Sequence, residues 1–231
     1  MGDDLALVAT ASDRVVATVR AVDDLGGASL LPGWTRGHVV THLARNADSF
    51  TWLLDGAVVG EIRDQYPGGP ATRAAAIEAG ADRPAGELAA DLEASAARLA
   101  AAMRRLDAAA WERPVRVTRG QIPAVALVWS RLREVEVHHA DLGLGYRPEA
   151  WLDGFVAQEL AQRIGELAGR LPRGTAVRIV ATDADGSWEV GDGPASLAVS
   201  GPAADLLGWL LGRDGGRRLQ APAGLPPLAP W

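Results

Sequence analysis

Through the first 145 or so residues of this chain, side chains that would face a core recur in steps of three and four. Leu5, Val8, Ser12, Val15, Val19 and Val22 trace one stripe of a helix, which the spacing extends over about residues 3 to 24. Gly26 and Gly27 end it, a loop carries Pro32 and Gly33, and Thr35 is placed to cap a second helix running to about Asp55. After a loop with Pro67, Gly68, Gly69 and Pro70, a short helical piece holds Arg73 to Ala79, too short to be a main member of a bundle. Leu88, Leu92, Ser95, Leu99, Met103 and Leu106 predict a third long helix over about 86 to 109, stopped before Pro114. A fourth follows Pro123, with Val125, Val128, Leu132, Val135 and Leu142 as its apolar positions. Four long helices, each with one apolar face, predict a four-helix bundle.

Around Tyr146 to Pro148 the pattern changes. One more helix is expected over 151 to 171, then short β-favouring runs at Thr175 to Thr182, Ser187 to Val190 and Ala195 to Ser200, and a last helix at Ala204 to Leu211. A proline-rich tail, Leu225 to Trp231, ends on a tryptophan expected to be packed, and the eight tryptophans are otherwise assigned to packing alone. A chain of 231 residues is long enough for two cores. The expected fold class is therefore α plus α+β, with a helical bundle over 1–147 and a small α+β domain over 148–231.

Composition removes several functions. The chain has no lysine, and its 23 arginines face 29 Asp and Glu, a net charge of −6 that argues against a nucleic-acid partner. No apolar run approaches the ~18 residues of a spanning helix, and the first twenty residues carry Asp3, Asp4 and Asp13 in place of a basic start and an apolar stretch. A cytoplasmic protein with no membrane partner, and a monomer, is expected. With no cysteine there are no disulfides, thiolate ligands or cysteine nucleophiles, so thiol chemistry must borrow its sulfur. Gly143-Leu-Gly145 ends the fourth helix; no strand precedes it, as a dinucleotide site requires.

The four histidines fall in two clusters, His38 and His42 on the second helix and His138 and His139 on the fourth. Positions four apart on a helix differ by about 40° and stand about 6 Å apart along the axis, so His38 and His42 share a face, as do Glu134 and His138. Packed helices lie roughly 8 to 10 Å apart, a span that inward-facing imidazole and carboxylate groups can close on one ion. Glu136 with His139 is a competing Glu-x-x-His pair of the di-iron type, which needs a second such element that the sequence lacks. The alternative is that these histidines only hydrogen-bond to their neighbours.

The segments Leu31-Pro-Gly-Trp-Thr-Arg-Gly-His-Val-Val-Thr-His-Leu-Ala-Arg-Asn46, Arg131-Leu-Arg-Glu-Val-Glu-Val-His-His-Ala-Asp-Leu142 and Gly201-Pro-Ala-Ala-Asp-Leu-Leu-Gly-Trp-Leu-Leu-Gly-Arg213 resemble the mycothiol-dependent maleylpyruvate isomerase family, within the DinB-like metalloenzymes. The resemblance covers nearly the whole chain and implies a DinB-like bundle followed by a sterol-carrier-protein-like domain. It implies a zinc ion held by His42, Glu134 and His138, a three-ligand set that leaves the fourth tetrahedral position open for the sulfur of mycothiol. Zinc favours the thiolate, and the implied reaction adds it to the cis double bond of maleylpyruvate, a dicarboxylate, so that the bond rotates in the enolate before the thiol is expelled as fumarylpyruvate forms.

In an acidic protein local arginines must receive the substrate carboxylates, and the resemblance places Arg73 and Arg213 at the site for substrate and thiol. His38 is read as a partner behind the ligands, a proton shuttle or a packed residue, and Asn46, one turn after His42, as a residue that orients it. His139 and Asp141 are open in the same way. Two further readings are a mycothiol S-transferase, which would keep the thiol adduct, and a non-catalytic metal- or ligand-binding module in which His38 or His139 supplies a fourth ligand.

Overall fold

The computed structural model describes residues 2–229, and Met1, Pro230 and Trp231 lie outside them, so the expected packing of Trp231 falls beyond the described residues. The chain divides into two compact units, Met1–Leu144 and Gly145–Trp231. The first contains α1 (Gly2–Arg20), α2 (Arg36–Val59), α3 (Gly69–Ala81), α4 (Ala85–Arg104), α5 (Ala108–Glu112), a hairpin of β1 (Pro114–Val117) and β2 (Gly120–Pro123), and α6 (Ala126–Asp141). α1 and α2 each pack on both α4 and α6, so the four long helices surround one apolar core.

α2 is the most enclosed of them. α3 covers a further side of it, and Val39, Val40, Leu43, Ala44 and Ala47 are all wholly buried. A helix apolar on nearly every side is an interior helix, and whatever polar groups it carries must be satisfied inside the protein. Thr35 caps it as expected, accepting from the His38 backbone N–H. Gly37 lets its first turn meet the end of α3, where a Cβ would collide with the Ala81 carbonyl oxygen.

Several boundaries differ from the sequence expectation for local reasons. α1 stops at Arg20, four residues short of the expected Asp24. The stripe running to residue 109 is two helices: α4 ends at Arg104, and Asp107 caps α5 by accepting from the Ala110 backbone N–H. The piece expected from Arg73 is the 13-residue α3, which starts earlier because Gly68 and Gly69 take left-handed conformations and turn the chain into Pro70. The β1–β2 hairpin, which pairs Pro114 with Pro123 across a turn at Gly120, was not anticipated.

The second unit has α7 (Asp153–Leu167), β3 (Ala176–Ala181), β4 (Gly186–Gly191), β5 (Leu197–Gly201) and α8 (Ala203–Leu210), with 3-10 turns at Pro148–Ala150 and Ala168–Arg170. The sheet order is β4-β3-β5, with β3 antiparallel to β4 and parallel to β5. Val177, Ile179 and Val199 of the sheet form its core with Phe155, Leu160 and Leu167 of α7 and Leu206, Leu207 and Leu210 of α8. Trp111, Trp151 and Trp209 are buried, but Trp52 is 42 % exposed under the guanidinium of Arg63, so packing does not account for every tryptophan. Among the described residues no helix is long and apolar enough to cross a membrane.

Candidate metal centre

α2 and α6 bring three side chains to one point. The ligand atoms of His42, Glu134 and His138 lie within 4.8 Å of one another, and among the described residues they form the one group of three or more His, Asp and Glu side chains close enough to share an ion. Glu134 is the hinge of the arrangement: its Oε2 stands 2.8 Å from His42 Nε2 and 3.5 Å from His138 Nε2. The two imidazoles meet edge to face at 4.6 Å between ring centres. Two nitrogen donors and one carboxylate oxygen on buried and half-buried side chains suit a divalent ion such as zinc, so the donor set fits the metal that the resemblance implies.

The two histidines are held by different partners. His138 Nδ1 lies 2.8 Å from Oδ2 of the buried Asp141, which can only accept, so Nδ1 carries a proton and the ring is turned with Nε2 towards Glu134. His42 Nδ1 lies 3.0 Å from Nη2 of Arg73, which can only donate, so Nδ1 accepts and Nε2–H donates to Glu134. Burial lowers the His42 pKa to about 4, with the charges of His138 and Arg73 acting the same way against the opposing pull of Glu134, and the ring is neutral. Burial alone would raise the Glu134 carboxyl, but the His42 hydrogen bond and the charges of His42, His138 and Arg131 bring it down to about 2.

The other expected site residues separate cleanly. Arg73, on α3, reaches His42 and leans over the Tyr66 ring at 5.6 Å. His38 is used by the start of α2: its Nδ1 accepts from the Thr35 backbone N–H at 3.2 Å, which leaves Nε2–H to donate to Glu78. The Asn46 side-chain oxygen accepts from Arg131 at 2.8 Å, while the His42 ring is bonded to Glu134 and Arg73. His139 turns away to Thr18 on α1 at 2.8 Å, with its pKa lowered to about 4 by burial and by the Arg14 charge. Arg213 belongs to the second unit, where its Nη1 donates to the Leu211 carbonyl at 2.9 Å.

Trp34 has a place at the site that its sequence position did not reveal. Its ring stacks on His38 at 6.1 Å and tilts against His42 at 5.7 Å. The one available signal was that it stands four residues before His38 in the same short motif.

A helical unit that gathers two histidines and a glutamate from facing helices defines a class of proteins with a three-donor candidate metal site inside a helix bundle. The chain belongs to the mycothiol maleylpyruvate isomerase family: the family described as "Mycothiol maleylpyruvate isomerase N-terminal domain" matches residues 5–143. Two similar solved structures are the crystal structure of the mycothiol-dependent maleylpyruvate isomerase and that of a histidine-to-alanine mutant of it. Each is 26 % identical, with a TM-score of 0.89 over 100 % of this chain and 96 % of the other. A comparison with curated protein sequences gave no match.

Proposed function

We propose that the protein is a zinc- and mycothiol-dependent enzyme that isomerises maleylpyruvate to fumarylpyruvate, with a DinB-like first unit and a sterol-carrier-protein-like second unit. The observation that carries this reading is the convergence of His42, Glu134 and His138 in a chain of this family that has no cysteine of its own. A zinc ion held by these three residues supplies, when bound, the Lewis acidity that keeps a small thiol deprotonated near neutral pH.

The protein groups prepare that site unequally. His138 already holds a proton on Nδ1 against Asp141, with Nε2 turned to the site. To offer its Nε2 lone pair, His42 must place its proton on Nδ1, where Arg73 now donates. The Arg73 guanidinium is thereby free to turn to an anion, and it suits a substrate carboxylate because it stays charged and can grip two oxygens at once. Arg213 is proposed for the second carboxylate or for the thiol. Trp34 walls one side of the imidazoles and limits water there. His38 acts through the cap of α2, and Asn46 through Arg131.

The test combines metal analysis with an assay on maleylpyruvate with and without mycothiol. We expect about one zinc per chain, as a three-ligand catalytic site holds, and turnover only when the thiol is present, with no net thiol consumed. Turnover that survives removal of the metal overturns the proposal. Stoichiometric loss of thiol into a stable adduct would make the protein a transferase.

A further inference from the structure

Arg73 has two partners to serve. It donates to His42 Nδ1 at 3.0 Å, and in the function proposed above it turns from there to a substrate carboxylate. A long, flexible side chain loses rotamer entropy whenever it is fixed, so a guanidinium with no further support would leave for solvent between the two. The support is Tyr66. The guanidinium carbon of Arg73 stands over that ring, 5.6 Å from its centroid, within the distance at which a cation is drawn to an aromatic face.

The chain is built to bring the two together. The Gly69 N–H donates to the Tyr66 carbonyl at 2.8 Å and the Thr72 hydroxyl donates to the Gly68 carbonyl at 3.1 Å, so the backbone reverses after Tyr66 and returns the first turns of α3 to its ring. A Cβ at Gly68 would collide with Thr72 Oγ1, which makes glycine necessary in so close a turn. The half-buried Tyr66 is itself anchored through its neighbour. Gln65 Nε2 donates to the Tyr66 hydroxyl and to Ser49 Oγ on α2, both at 3.3 Å, while the Gln65 side-chain oxygen accepts from the Thr118 N–H at 3.3 Å and its backbone N–H donates to the Arg116 carbonyl at 3.0 Å. The loop that carries the ring is thereby tied to α2 on one side and to the β1–β2 hairpin on the other.

We propose that Tyr66 is a positioning residue for the substrate: its ring holds the Arg73 guanidinium beside the metal centre, so that on leaving His42 the cation meets a carboxylate instead of water. The proposal rests on the role given to Arg73 above and adds the group that keeps Arg73 in place.

Calorimetric titration of the full chain, supplied with zinc, with maleate as the dicarboxylate probe tests this. Tyr66→Leu should weaken maleate by about 3- to 20-fold, the range of a cation over an aromatic face, and raise the KM for maleylpyruvate by a like factor with kcat and zinc content nearly unchanged. Tyr66→Phe, which keeps the ring, should restore the affinity to within about twofold of the natural protein. In an Arg73→Ala background Tyr66→Leu should weaken maleate no further, because the two side chains act as one unit. Should Tyr66→Leu not fold, pentafluorophenylalanine at position 66 decides, since it keeps the shape of the ring but reverses the charge of its face, and it should weaken maleate as leucine does. Maleate affinity unchanged by Tyr66→Leu or by the fluorinated ring overturns the proposal. So does a loss in Tyr66→Phe as large as in Tyr66→Leu, which would make the hydroxyl the partner of the substrate, or a Tyr66→Leu effect that persists without Arg73. If this pattern holds while maleylpyruvate is not isomerised, the positioning role stands and the isomerase reading falls. If the natural protein binds no maleate, the positioning role falls, and metal analysis with thiol-dependent turnover still decides the isomerase reading.

Discussion

The two helices that supply the candidate metal ligands prepare them differently. On α6, Glu134, His138 and Asp141 stand three and four residues apart, so one helix sets the carboxylate, the imidazole and the group that orients the imidazole. On α2, His42 has no such local help: its ring is held by Glu134, 92 positions away, and by Arg73 on α3. The α6 half is ready for a cation, and the α2 half is held in the tautomer that must change. Preorganisation in this site is a property of one helix, whereas adjustment is a property of the contact between helices.

The largest effect should come from removing the atom that both halves share. Glu134→Ala is expected to abolish zinc retention and thiol-dependent turnover while the helical circular dichroism of the unit is kept; full zinc content after dialysis would break the comparison at its centre. Asp141→Asn attacks the prepared half alone, and loss of its control over His138 should weaken zinc by about 10- to 100-fold, read by chelator competition. An unchanged affinity would mean that Asp141 serves only packing.

Acid should then separate the metal-free fold from its unfolded chain. His42 and His139 are held near 4 in the folded state against an ordinary 6.5, so between those values the unfolded chain binds more protons, and stability falls as pH drops from 6.5 to 4. The loss should be on the order of 2 kcal/mol per histidine, visible as a lower urea midpoint at pH 4.5 than at pH 7. His139→Gln should flatten part of that slope without touching the metal. Arg73→Ala sharpens the contrast through its sign: it should raise the KM for the dicarboxylate yet tighten zinc a few-fold, because the donor that holds His42 in the wrong tautomer is gone. Zinc weakened by that change would contradict the assigned tautomer. Smallest of all, His38→Ala should cost about 0.5–1 kcal/mol through the α2 cap, a few degrees of melting temperature, with kcat nearly unchanged.

The long helices were legible because their buried positions recur at one spacing, and Thr35 announced the start of α2. What the stripe could not show was interruption: Leu106 continues the period of α4, but Asp107 caps a new helix one residue later. The β1–β2 hairpin escaped because four-residue strands bounded by Pro114 and Pro123 carry too little alternation to be seen. In the site, the i,i+4 spacing of Glu134 and His138 was visible, as was the clustering of the histidines. The division of labour between His38 and His42 was not, since both face the same way on α2 and only Glu78 and Arg73, on another helix, tell them apart. Asn46 shows the same limit. Its position one turn from His42 suggested that partner, but Arg131 crosses from α6 and takes its oxygen.

The neutral, buried state of His42 and His139 reaches beyond the site. With no lysine and no cysteine in the chain, histidine is the one side-chain type here whose ordinary pKa lies near neutrality, and two of the four imidazoles titrate far below it. Those two rings therefore stay neutral from pH 7 to 9. An alkaline bend in a rate profile across that interval will record the ionisation of groups other than His42 and His139.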